Sequence, residues 1–367
     1  MSNSQITVTQ YIKKFLHSRK FAVKPSTFIS EKCKANKLTR YFSSTPIDAV
    51  RHSDIIEMLD ELHECYSNKS INEFLTILRA VFLRAERDGV VDRNPMNGIK
   101  NLKAIKPIPN PFTKKELSQL HQTMACEQGK NAVELDVYTG LRISELLALS
   151  WEDIDWENQV LWVRRAKVLQ SYKTTKTKES TRKVELNELA MEVLRRQWAL
   201  TGQHEAVKIS VLQDDNKSYV KERVHIVFYN SQTNQPFLHA AQFNNAFFRA
   251  FLEKAGVAHR GVGQLRHTFA SQNLTAGIAK DWIAMQMGHA DTSMIDDHYG
   301  QWIPADSPNY SQAAAEHLAQ TFGHDEFVVR SDASDESLPQ EYSSLLTALQ
   351  AKPELLALVK AAIGGAS

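Results

Sequence analysis

A chain of 367 residues, 43% of them hydrophobic, has ample length for two domains, or for one large domain with a sizeable core. Its three cysteines, Cys33, Cys65 and Cys126, are odd in number and widely spaced, with no C-x-x-C pair, which argues against structural zinc and a disulfide framework. The formal charge of +2 hides an asymmetry: residues 325–367 hold seven acidic and three basic side chains, leaving the first 324 residues at about +6, a balance that admits a polyanionic partner.

The opening MSNSQITVTQYIKKFL lacks the apolar core of a signal peptide, and no apolar run is long enough to span a bilayer. The expectation is a soluble protein of a reducing cytoplasm, away from membranes. Residues 6–102 read as helical. Ile12, Phe15 and Leu16 begin one amphipathic helix. Phe28 to Tyr41 makes a second, with Lys32, Lys34, Lys37 and Arg40 on its polar side. Ser53 or Asp54 can cap a third, IIEMLDELHECY. Ser70 can cap a fourth, whose Ile71, Phe74, Leu75, Leu78, Val81 and Phe82 keep a helical stripe up to Gly89. Basic polar faces of this kind suit a phosphate backbone, and a solvated charged face reads the same way.

Pro107, Pro109 and Pro111 stand at alternate positions. Each fixes its own φ and pushes its predecessor toward an extended conformation, so residues 106–112 are expected to form a stiff linker. Thr113 and Glu116 have the spacing of a capping box for the next helix. Gly140 ends or turns the chain. Arg142 then begins a helix with Leu146, Leu147 and Leu149 on its buried side, and Glu145 lies on the same face as Arg142, placed to hold its guanidinium. Between Gln159 and Leu186 the pattern turns to strands, with TTKTKESTRKVEL supplying a hairpin between two extended arms. A helix over Glu188 to Leu200 follows. Residues 201–224, rich in polar side chains, read as a variable insertion. HIVFYN reads as a short strand, and Ala240 to Ala255 as an amphipathic helix.

The most informative run is GQLRHTFASQNLTAGIAKDWIAMQMGHADTSMIDDHYG, from Gly263 to Gly300. Leu265, Phe269, Ala270 and Leu274 fall at helical spacing beside Arg266 and His267. A second helix bearing Trp282, Ile283 and Met287 stops at Gly288, where a left-handed C-cap is expected. His289 follows that stop, and Tyr299 stands ten residues later before another glycine. Arg266-His267, Gly288-His289 and Tyr299, together with TGLRISELLALSWEDID around Arg142, resemble the two signature blocks of the tyrosine recombinases, the phage integrase family.

The resemblance implies a mainly α fold with a small antiparallel β-sheet. It implies a helical core-binding domain over residues 1–105, a linker over 106–112 and a catalytic domain over 113–324. Residues 325–367 are expected to be an acidic linker and a helical tail. It implies DNA cleavage and rejoining through a 3′-phosphotyrosine, on double-stranded DNA, by a homotetramer on paired sites, with accessory DNA-bending or directionality proteins as further partners. The residues carried over are Arg142, Lys176, Arg266, His289 and the nucleophile Tyr299, with Glu145 and His267 in support. Lys178 rivals Lys176 for the hairpin lysine. Lys32, Lys34, Lys69, Arg79, Lys178 and Arg182 are candidate DNA contacts. No cofactor or metal is expected, since no carboxylate cluster suits magnesium.

Such residue types fit the chemistry. Arginine's planar fork grips a phosphate and keeps its charge, a tyrosine hydroxyl can form the covalent link, and a lysine can protonate the departing 5′-oxygen. One departure stands out: Gly263 occupies the place, three residues before Arg266, where the family usually has His, sometimes Lys or Tyr. His267 and His289 are the nearest candidates to supply what glycine cannot. Two other readings remain at this point. One is DNA relaxation of the type IB topoisomerase kind; the other is a non-catalytic DNA-binding protein, suggested by Gly263.

Overall fold

Four helices fill most of the first hundred residues: α1 (Val8–Arg19), α2 (Pro25–Phe42), α3 (His52–Cys65) and α4 (Asn68–Arg87). Thr7 and Gln10 exchange side-chain and backbone hydrogen bonds to start α1, and Pro25 takes the first position of α2, where its missing N–H costs nothing. The other two begin earlier than the sequence suggests. Asp54 acts from inside α3, accepting the Arg51 N–H at 2.9 Å, and Ser67 rather than Ser70 caps α4. The predicted stripe of α4, from Ile71 to Phe82, is buried against Val8, Tyr11, Ile12, Leu38 and Phe42.

The computed structural model describes residues 6–105, 108–174 and 182–299, with residues 311, 314, 315, 318 and 321. Residues 1–306 form one compact unit and 307–367 another. The hairpin lysines Lys176 and Lys178 lie outside the described residues, as does most of the tail.

After α4 the chain is fastened down before it crosses. Asn72 and Leu102 exchange two hydrogen bonds, at 2.8 and 2.9 Å, and Asn68 Nδ2 donates to the Lys103 carbonyl. The next fastening is on α11 (Gln264–Thr275). Gln264 Oε1 accepts the Asn110 N–H at 2.8 Å, Thr268 Oγ1 accepts the Phe112 N–H at 2.9 Å, and Gln272 Nε2 donates to the Phe112 carbonyl at 3.0 Å. These three residues are spaced by four and so form one stripe along the helix.

Beyond it come α5 (Lys114–Gln122), with the expected Thr113–Glu116 capping box, α6 (Glu127–Thr139) and α7 (Ile143–Leu146). The strands β1 (Ile154–Asp155), β2 (Val160–Val163), β3 (Arg165–Val168), β4 (Ser171–Thr174) and β5 (Arg182–Glu185) lead to α8 (Glu188–Thr201). Then follow β6 (Val207–Leu212), β7 (Tyr219–Val224), β8 (Tyr229–Asn230), β9 (Gln235–Pro236), α9 (Ala240–Phe243) and α10 (Arg249–Lys254). After α11 come α12 (Lys280–Met287) and α13 (Ser293–Tyr299). The fold is mainly α with small sheets. β1, β2 and β5 form an antiparallel sheet; β3, β4, β6 and β7 form a second, in which β4 and β6 run parallel. That parallel pair departs from the purely antiparallel expectation.

Residues 201–224 are therefore not a formless insertion. Ile209 and Val211 face inward along β6, while Tyr219 to Lys221 on β7 are exposed, so an outer strand with few buried side chains hid the pattern. HIVFYN is buried from Ile226 to Tyr229, but only Tyr229–Asn230 pairs as a strand. A second apolar core gathers Leu135, Leu146, Leu161, Val184, Leu194 and Leu265 among others. A smaller one, of Phe269, Ile283, Met287 and Ile295, joins α11, α12 and α13. No described helix is long and apolar enough to cross a membrane.

Candidate active site

Gly140 ends α6 in the left-handed conformation, at φ 61°. A Cβ there would stand 2.4 Å from the Phe269 ring, so both the turn and the approach of α11 require glycine. Two residues on, Arg142 is the N-cap of α7. Its backbone N–H donates to Glu145 Oε2 at 3.0 Å and its Nη1 to Glu145 Oε1 at 2.7 Å, with the side chain 40% exposed. Glu145 thus holds the guanidinium as its spacing suggested, while leaving it open to a ligand.

Glu145 itself is buried and serves a second cation: Arg182 Nη2 donates to its Oε2 at 3.0 Å. Burial alone would push this carboxyl up, but Arg182 and then Arg142 outweigh it and hold the carboxyl below its ordinary range. Arg182, expected as a DNA contact, is corrected by the structure. Its side chain is 6% exposed, and its Nε donates to the Gln286 carbonyl at 2.7 Å. It ties β5 to α7 and α12 instead of meeting solvent.

Arg266, on α11, is also buried. Its Nη1 donates to the Gly140 carbonyl at 2.5 Å, and its Nη2 donates to the Met287 carbonyl at 2.7 Å and lies 2.9 Å from His289 Nε2. A guanidinium has no acceptor atom, so His289 Nε2 must accept in that contact and a neutral imidazole carries its proton on Nδ1. Gly288 closes α12 in the left-handed region, at φ 68° and ψ 50°, as expected from the sequence, and the His289 N–H donates to the Ala284 carbonyl at 2.9 Å. The helix end and the arginine together fix the imidazole.

Asp136 on α6 was not foreseen. It is 1% exposed, and its carboxyl oxygens have no hydrogen-bond partner among the described residues. Burial pushes its carboxyl well above the usual range, with Arg266 pulling it down and Glu145 pushing it further up. The local sequence gives no signal for it, since a lone aspartate in an amphipathic helix reads as a surface residue.

The remaining candidates separate. His267 is partly buried on α11 beside Arg266. Tyr299 is the last residue of α13, which packs on α11 and α12. Gly263 precedes α11 with helical φ and ψ, and among the described residues nothing beyond its chain neighbours lies within 4 Å of where its Cβ would be. Lys32 and Lys69 are exposed. Lys34 is paired with Glu73 at 2.6 Å and with Ser30 at 3.0 Å. Arg79 bonds Asn101 and the Ile99 carbonyl, so it braces the chain leaving α4. No group of three or more His, Cys, Asp or Glu side chains among the described residues could hold a metal.

Residues 110–302 match the phage integrase family. The chain is 33% identical over 289 residues to the prophage integrase IntR of Escherichia coli strain K12, covering 74% of this chain and 69% of that one. It is 24% identical over 301 residues to the ICEBs1 integrase of Bacillus subtilis strain 168, covering 79% and 77%. The Tn1549 transposon integrase, solved in complex with a circular intermediate DNA, superposes with a TM-score of 0.66 at 24% identity over 86% of this chain and 100% of that one. The lambda integrase dimer bound to a COC′ core site gives 0.62 at 16% identity, over 81% and 78%.

Proposed function

Because this chain belongs to the phage integrase family, we propose that Arg142, Lys176, Arg266, His289 and Tyr299 form the centre at which it cuts and rejoins DNA as a tyrosine-type site-specific recombinase. The observation that carries this assignment is the lattice of fixed cations. Arg142 and Arg266 come from separate helices, each held by protein acceptors, and Arg266 is bonded to the imidazole of His289.

The Tyr299 hydroxyl attacks the scissile phosphorus, giving up its proton to solvent. A bond forms from the tyrosine oxygen to phosphorus, the bond to the 5′-oxygen breaks, and the 3′-phosphate stays on the enzyme as an ester. Arg142 and Arg266 stabilise the extra charge on the non-bridging oxygens, which is worth most when the donors are fixed before the reaction. His289, bonded to Arg266, donates to a phosphate oxygen from its place after α12. Lys176 protonates the departing 5′-oxygen, leaving a hydroxyl. Attack by a partner strand's 5′-hydroxyl reverses the step and releases Tyr299. These side chains suffice for the exchange without a cofactor.

The partner is double-stranded DNA, gripped between the helical residues 1–105 and the catalytic residues 113–324, and two cut sites come together in a tetramer. The lambda integrase tetramer bound to a Holliday junction supports that assembly. Accessory proteins that bend DNA or set direction complete the reading.

Tyr299→Phe tests it. The variant should bind the recombination site as the wild type does and form no covalent adduct with a nicked suicide duplex. An adduct in that variant would overturn the assignment.

A further inference from the structure

α12 ends by offering its last carbonyls to cations. The oxygens of Gln286 and Met287, beyond the reach of intrahelical donors, accept Arg182 Nε–H and Arg266 Nη2–H, each at 2.7 Å. The position of this helix along β5 therefore sets where two guanidiniums sit. It sets His289 as well, two residues past the helix end.

One side chain fixes that position. Gln286 is 1% exposed, and its Oε1 accepts the Glu185 N–H at 3.0 Å. β5 is an edge strand of its sheet, so the amide oxygen stands where the carbonyl of a further strand would be. Through its side chain at Glu185 and its carbonyl at Arg182, a single residue holds both ends of the strand. Trp282, one turn earlier, adds a bond from Nε1 to Glu185 Oε2 at 2.8 Å. The amide's other half gains nothing: Nε2 is buried with no hydrogen-bond partner among the described residues. An aliphatic side chain would avoid that penalty. The orientation is fixed all the same, because only the oxygen can accept from the Glu185 N–H.

We propose that Gln286 is a positioning residue for strand cleavage, its amide oxygen keying α12 to β5 in one register and so aiming Arg266 and His289, and Arg142 by way of Arg182 and Glu145. The proposal rests on the active-site reading above. A one-residue slip of the helix would move the acceptors of both buried arginines together, which no change at either arginine alone does.

Two substitutions separate this from simple packing. Q286M keeps the length and loses the acceptor; Q286E keeps an acceptor oxygen in the same place. Single-turnover cleavage of a nicked duplex, affinity for the same duplex and thermal melting are measured on each full-length variant, with Tyr299→Phe in parallel. Q286M should cleave about 10²-fold more slowly, the cost of a small misplacement of catalytic groups, with affinity and melting temperature at or above wild type. Q286E should recover most of the rate. Wild-type cleavage by Q286M, equal defects in both variants, or loss of affinity and melting temperature along with rate would each overturn the proposal. An adduct formed by Tyr299→Phe removes the active-site reading instead, so the two failures are distinct.

Discussion

Gly288 and Gly263 flank the functional residues of α11 and α12 in the chain and obey opposite rules. Gly288 has φ 68°, and a Cβ would stand 2.7 Å from Arg182 Cδ. Backbone and space both refuse a side chain. Gly288→Ala should lower stability by about 1–3 kcal/mol and slow cleavage by displacing His289. Chemical denaturation and single-turnover rates check it, and an alanine variant as stable and as fast as wild type would refute it. Gly263 has an ordinary φ of −61° and, among the described residues beyond its chain neighbours, nothing within 4 Å of a Cβ. Gly263→His should change stability by no more than about 0.5 kcal/mol, and cleavage should match or exceed wild type because the family's usual group returns. A slower or less stable variant would show that the space is needed empty. What the sequence revealed at this scale was local: Arg142 with Glu145 at a spacing of three, and a glycine stop before His289. Arg182 was misread because its partners Glu145 and Gln286 lie 37 and 104 residues away, and an arginine beside lysines looks like surface.

Among the elements, the β3–β4 hairpin carries an unusual pair. Lys167 on β3 is buried, its Nζ 3.0 Å from Tyr172 Oη and 4.5 Å from the centre of that ring. Burial lowers the amine to about 8 and, with Tyr229, raises the phenol to about 12. Below pH 8 the amine is charged in both folded and unfolded chains, and its desolvation is a full cost to stability. Above that point the folded chain loses the proton while the unfolded chain keeps it up to about 10.4, so the cost fades as pH rises. The stability of wild type relative to Lys167→Met should accordingly climb by roughly 1–3 kcal/mol between about pH 7 and 10. Urea denaturation of both proteins across that range checks the slope, and a flat difference would mean the amine titrates normally. Helices were legible because their apolar stripes and caps repeat within a few residues. β6 and β7 were not, since β7 has one buried residue, Val224, and strand partners cannot be read from a polar edge.

For the whole molecule, the proline run falls between two apolar cores inside the single compact unit of residues 1–306. One apolar core draws its buried residues from Val8 to Met96, the other from Phe112 to Leu265. What no periodicity could reveal is how tightly the connection is held at its ends. It is bonded to α4 as far as Lys103 and to α11 from Asn110 onward, and residues 104–109 lie between these two fastenings. Six residues reach no more than about 20–25 Å. The leash is short, and its consequence is one of effective concentration. On the clamp proposed above, once either half held DNA the other would be confined near it at a local concentration in roughly the millimolar range, so two weak grips would multiply into one strong one without any new contact. Inserting Gly-Ser repeats after Ile105 should weaken DNA binding progressively, with roughly a −3/2 power of linker length, while leaving cleavage of saturating duplex unchanged. Affinity that ignores linker length would mean that the two halves bind independently.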